Sequence, residues 1–231
     1  MAKHKRAHKW AFPLGVILTA LALVGAVTLV SLVVGFFKQQ AANPKEIQAY
    51  EKFLTKIILH DPDPFDSVGA VPIGNIPQLL DISIWSILRP GEDTKPGNLP
   101  KDDDGNLLIS QDKVDAEFEK IFGQKPPKHA SIEGSDFDFV YDPDARVYRV
   151  PMTGTLNIYL PRVRPKPKKT GNAIVLTVDY LAYNDFELDP SGRYLEPATP
   201  AKTMLITLYA QADPDYPYRV GSITPPVGGV R

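Results

Sequence analysis

The chain has 231 residues, of which 26 are basic and 27 acidic, for a formal charge of −1 at neutral pH. It contains no cysteine, which excludes disulfides, thiolate metal sites and cysteine nucleophiles together. Setting aside Lys3, Lys5, Arg6 and Lys9 in the first ten positions leaves 22 basic against 27 acidic residues, the wrong sign for a nucleic-acid-binding domain.

Residues 1–10 read as a short basic tail, expected on the cytoplasmic side. From Ala11 to Phe37 the chain carries no charge, and only Thr19, Thr28 and Ser31 interrupt it with hydroxyls. A bilayer core is spanned by about 20 apolar residues in a helix, at ~1.5 Å each. The run exceeds the ~7–15 residues of a secretory h-region, and no small-x-small cleavage site follows closely. Residues 11–37 are therefore expected to be an uncleaved transmembrane anchor. Trp10 on one side, and Phe36, Phe37 and Lys38 on the other, suit the two membrane interfaces. The expected location is a single-pass protein of the cell membrane, N-terminus cytoplasmic and main domain extracytoplasmic.

Residues 38–59 read as a juxtamembrane amphipathic helix. Asn43-Pro44 supplies a cap and a proline at the first helical position. Ile47, Tyr50, Phe53, Leu54, Ile57 and Ile58 recur at three- and four-residue spacing. That stripe must pack on the domain, on a partner or on a second copy. Residues 60–231 read as an extracytoplasmic domain, with proline at 23 positions in the whole chain, about twice the usual ~5%. After a proline- and glycine-rich loop, Asn75 is placed to cap a helix over about 75–88, dense enough in Ile and Leu for burial on more than one side. A further helix over about 110–122 buries Val114, Phe118, Ile121 and Phe122 and stops at Gly123.

Beyond Pro127 the period changes to two, with strands expected over about 136–223. Phe137, Phe139 and Tyr141 alternate with Asp136, Asp138 and Val140, Tyr148, Val150 and Met152 continue the period, and Leu156, Ile158 and Leu160 alternate with Thr155, Asn157 and Tyr159. Ile174, Leu176, Val178 and Tyr180 follow, then Met204, Ile206 and Leu208, then Tyr218 and Val220. One apolar face per strand is the mark of an antiparallel sheet packed on one side. The predicted class is α+β: about three helices followed by an antiparallel sheet of five or six strands, in an NTF2-like or cystatin-like layout.

The stretch "DDDGNLLISQDK", Asp102 to Lys113, touches two chemical motifs. Asp102, Asp104 and Asn106 stand at the first, third and fifth positions of a calcium loop. Leu107 replaces its obligatory glycine, however, and Lys113 replaces its bidentate carboxylate. Ser110-Gln-Asp-Lys113, Ser135-Asp136-Phe137 and Lys169-Thr170-Gly171 together resemble the motif set of penicillin-binding proteins and serine β-lactamases. The span is too short for the helical lobe such folds need, Lys169 reads as part of a turn, and Ser110 has a simpler role as a helix cap. His60 and His129 lie in loops without spaced ligands, so no zinc site is expected. The reading is therefore of no enzyme, no metal and no cofactor.

Arg162, Arg164, Lys166, Lys168 and Lys169 form a basic, proline-stiffened segment read as a hairpin loop. Its expected contact is an anionic surface: lipid head groups, wall polymer or an acidic partner. The order of short tail, single span, juxtamembrane helix, helices and final sheet resembles VirB8-type subunits of bacterial secretion and conjugation machines, which implies an NTF2-like fold. The expected function is that of a membrane-anchored module acting by contact with other envelope proteins or with itself. The alternatives are such a machine subunit, a cell-envelope enzyme or a small-ligand-binding domain.

Overall fold

The computed structural model describes residues 43–89, 99–133, 138–151, 159–191, 194–197 and 199–226. The tail and anchor expected over 1–37, the Ser135-Asp136-Phe137 motif, and Met152, Leu156 and Ile158 lie outside them. Among the described residues no helix is long and apolar enough to cross a membrane.

The first helix, α1, runs Pro44–Ile58, with the Asn43 side chain accepting a hydrogen bond from the Lys45 N–H. Its apolar stripe packs into the domain itself: Tyr50, Phe53, Leu54, Ile57 and Ile58 are all buried. Helix α2, Ile76–Leu88, is buried on several sides, down to Ser83, whose hydroxyl returns to the Leu79 carbonyl at 3.0 Å. Asn75 does not cap it. Its side-chain amide instead donates to Asp63 at 3.0 Å, because Asn75 is already in a helical backbone conformation and its carboxamide cannot turn back on the helix.

Strand β1, Leu107–Ser110, comes next and precedes α3, Gln111–Phe122. The expected sequence of helices first and strands afterwards is thus broken by one strand. Its alternation is too short to register, since only Ile109 of its four residues is fully buried. Ser110 caps α3 as expected, accepting from the Lys113 N–H at 3.4 Å. Gly123 closes it at φ +76°, a conformation that costs glycine least.

A three-stranded antiparallel sheet follows in the order β1–β3–β2, with β2 at Val140–Asp142 and β3 at Val147–Val150. A larger sheet is built from β4 (Tyr159–Val163), β5 (Lys168–Thr170), β6 (Ala173–Ala182), β9 (Lys202–Ala210) and β10 (Tyr218–Thr224). It runs β10–β9–β6–β4, all antiparallel, and β5 pairs with the start of β6 beside β4. Between β6 and β9 the chain makes a small hairpin of its own, β7 (Glu187–Leu188) with β8 (Tyr194–Leu195).

The helices cover one face of the large sheet. Ile174, Leu176, Val178 and Tyr180 of β6 meet Met204, Ile206 and Leu208 of β9 and the apolar faces of α1, α2 and α3 in one buried cluster. In β4 the expected face is reversed. Pro161 and Val163 lie opposite Tyr180 and Val178 on the core side, whereas Leu160 lies opposite Leu181 on the other face. A shift of one residue exchanges every side chain between faces, and a strand with apolar residues at both parities does not declare its register. In β10 a bulge between Val220 and Ser222 resets the alternation, so Ile223 joins the core beside Val220. Gly221 fits that bulge because a Cβ there would come within 2.3 Å of the Tyr209 ring.

Candidate functional site

The basic segment is not a hairpin loop. Lys168–Thr170 is strand β5, so the segment is a broken edge strand that continues β4 along β6. The break falls at Pro165 and Pro167, whose missing N–H groups cannot join a ladder. Three of its five charges are matched inside the domain. Arg164 binds the Asp179 carboxylate with Nε and Nη2, at 3.2 and 2.8 Å to Oδ1. Arg162 reaches Asp179 at 3.4 Å and Glu196 at 3.6 Å, and Lys169 pairs with Glu46 of α1. Lys166 and Lys168 are exposed and have no carboxylate partner among the described residues.

Asp179 is nearly excluded from solvent on the sheet face away from the helices. Burial alone would raise its pKa, but the bonds from Arg164, Thr203 and Arg162 outweigh that and hold the carboxyl below its ordinary value. Register explains the assembly, because Arg162 and Thr203 are its direct cross-strand neighbours on β4 and β9.

Asp102 and Ser110 of the Asp102–Lys113 stretch each make local hydrogen bonds. Asp102 accepts from the Asp104 and Asn106 backbone N–H groups at 3.1 and 2.8 Å and from the Asn106 side chain at 3.1 Å. Its carboxylate closes the turn. Ser110 Oγ accepts the cap bond of α3. Lys169 stands on a strand edge after all, not in a turn, with its ammonium held by Glu46.

Both histidines beyond the tail are tied to carboxylates. His60 Nδ1 lies 2.7 Å from Asp81, joining the end of α1 to α2. His129 is bound at both nitrogens, Nε2 to Asp115 at 2.8 Å and Nδ1 to the Tyr148 hydroxyl at 2.9 Å, and it stacks on Tyr141. The carboxylate–imidazole–phenol chain has the order of a proton relay, and Tyr148 at its end is fully buried. Its work is to fasten the loop before β2 onto α3 and β3. Among the described residues no group of three or more acidic or histidine side chains is placed to hold a metal ion.

What distinguishes one surface from the rest is the state of the sheet edges. Along an edge strand alternate N–H groups point away from the sheet. In β4 the Arg164 N–H is bonded inward to Thr177, so the outward positions beyond Tyr159 are 161, 163 and 165. Pro161 and Pro165 have no N–H, and the Val163 N–H is taken by the Glu51 carboxylate of α1 at 2.9 Å. At the far edge, Phe65 pairs with Ile223 of β10 through two backbone bonds of 2.7 and 2.9 Å. In the smaller sheet, Leu108 of β1 donates outward to Pro100, and beside β2 Phe139 pairs with Ile132. The Tyr141 N–H is capped by the Ser131 hydroxyl at 3.0 Å.

The β7–β8 hairpin lacks any such cover among the described residues. It has two strands of two residues, and it presents Leu188 at 60% and Leu195 at 50% of full exposure, with Tyr183 at 43%. Leu188 is paired opposite Tyr194, and Leu195 opposite Glu187. The two leucines therefore point to opposite faces of the hairpin. Asp185 and Glu187 flank them, exposed and without ion partners among the described residues. Short strands of no clear period gave the sequence reading no signal here. The chain matches no known family model, no curated protein and no solved structure.

Proposed function

We propose that the chain is a membrane-anchored module that works by protein–protein contact, with the β7–β8 hairpin as the contact element. The observation that carries this is the leucine-bearing β7–β8 hairpin, exposed on both faces, set against a β4 edge whose Val163 N–H is covered by Glu51. A two-stranded hairpin is marginal in water on its own, and apolar side chains on both of its faces are stabilised only by a second surface. Full burial of a leucine contributes about 1.5–3 kcal/mol, so the two together suffice for a reversible interaction. Anchoring rests on the uncharged run Ala11–Phe37, which would place the contact in the extracytoplasmic space. The layer of helices on an antiparallel sheet is the feature that supports the VirB8-type alternative.

The test is the double variant Leu188→Ser, Leu195→Ser in the full chain, compared with wild type by native size analysis after gentle solubilisation. The expected result is an unchanged thermal midpoint with loss of the larger species. A variant that keeps the wild-type complex removes the hairpin from the interface.

A further inference from the structure

We infer that the partner surface for the hairpin is the Pro165–Lys168 break of a second copy of this chain, giving head-to-tail association. This rests on the contact reading above and names its occupant. The two surfaces are complementary in kind. The hairpin interleaves acidic and aliphatic side chains, Asp185, Glu187, Leu188 and Leu195, and all four are exposed. The edge break alternates proline rings with lysines, Pro165-Lys166-Pro167-Lys168, and both lysines are exposed without a carboxylate partner among the described residues.

The same chain does not join them. Lys168 sits beside Val175, near the start of β6, whereas the hairpin departs after the end of β6 at Ala182. Seven residues of extended strand separate those points, about 23 Å. Where opposite charges do meet at the hairpin's base they are already matched, Glu196 by Arg162. Among the described residues the charges left over, acidic at one end of the sheet and basic at the other, are satisfied in trans. Two hairpins facing each other would instead oppose Asp185 and Glu187 to their own copies, a like-charge arrangement that disfavours a two-fold dimer. A heterologous contact of this kind builds rings or open chains, not closed dimers.

Docking on the edge break does not require ladder bonds, which Pro165 and Pro167 cannot donate. Leucine burial supplies affinity, and the charges set register and salt dependence, because exposed pairs are worth only about 0–1 kcal/mol each.

The test uses charge reversal in the full chain, held in detergent micelles and followed by sedimentation velocity at low salt. One variant carries Asp185→Lys and Glu187→Lys, the other Lys166→Glu and Lys168→Glu. Wild type is expected to grow with concentration above any assembly shared by all forms, and to shrink as salt rises from roughly 50 to 300 mM. Each variant alone should lose that growth, and an equimolar mixture of the two should regain it. Variants that assemble like wild type, or a mixture that fails to recover, overturn the inference. If wild type shows no growth while Leu188→Ser, Leu195→Ser still loses its native complex, the second copy is the wrong partner and the contact reading stands.

Discussion

At the scale of single residues, several side chains that suggest chemistry in the sequence also fasten the fold. Ser110 caps α3, Asp102 closes a turn, and His129 bridges Asp115 and Tyr148. Asp179, which the sequence does not single out, is the most consequential fastener, because one nearly buried carboxylate gathers Arg162, Arg164 and Thr203 from two neighbouring strands and the edge break. Its folded-state pKa lies below the unfolded value, so the stability it confers is present above about pH 4. That contribution is lost as pH falls through the lowered folded value. Asp179→Asn should therefore lower the urea midpoint at pH 7 and flatten its dependence on pH below 4. An unchanged acid slope in the variant would show that the network is not coupled to folding.

At the scale of elements, the sheet edges explain the prolines and the position of α1. Glu51 reaches from α1 to cap the one outward N–H of β4 between two prolines, so the helix acts as an edge cover as well as a core element. Burial raises the Glu51 pKa, the Val163 N–H lowers it and the nearby Glu196 charge raises it again, with a net upward shift. A raised acid pKa means that stability declines as pH rises through the carboxylate range towards the folded value. Glu51→Gln keeps the acceptor oxygen without the charge and is expected to match or exceed wild-type stability at pH 7. Glu51→Ala leaves the Val163 N–H unpaired and should cost about 1–3 kcal/mol by urea denaturation, with increased aggregation. Equal behaviour of the two variants would deny Glu51 its capping role.

The sequence was legible where periodicity and caps were strong. The Ser110 cap and Gly123 stop mark α3, and the clean alternation of Ile174 to Tyr180 and of Met204 to Leu208 marks the central strands. It was illegible where partners are remote. Glu51 and Val163 are 112 residues apart, and nothing local in either signals the other. It misled at Leu160, where an apolar side chain occupies the face away from the helices. The basic segment was visible as charge, but its neutralisation by Asp179, Glu46 and Glu196 depends on register, which composition does not carry.

At the scale of the described domain, the β7–β8 hairpin, with Leu188 and Leu195 exposed on opposite faces, is the feature that asks for a second molecule. The measurement that bears on this most directly is photo-crosslinking from a benzophenone side chain introduced at position 188 of the full chain in intact membranes. Val140, exposed at 47% on β2, provides an apolar control position away from the hairpin. Discrete adducts from position 188, with none from position 140, are the predicted result. Equal yields from the two positions, or no adduct from 188, would contradict the account.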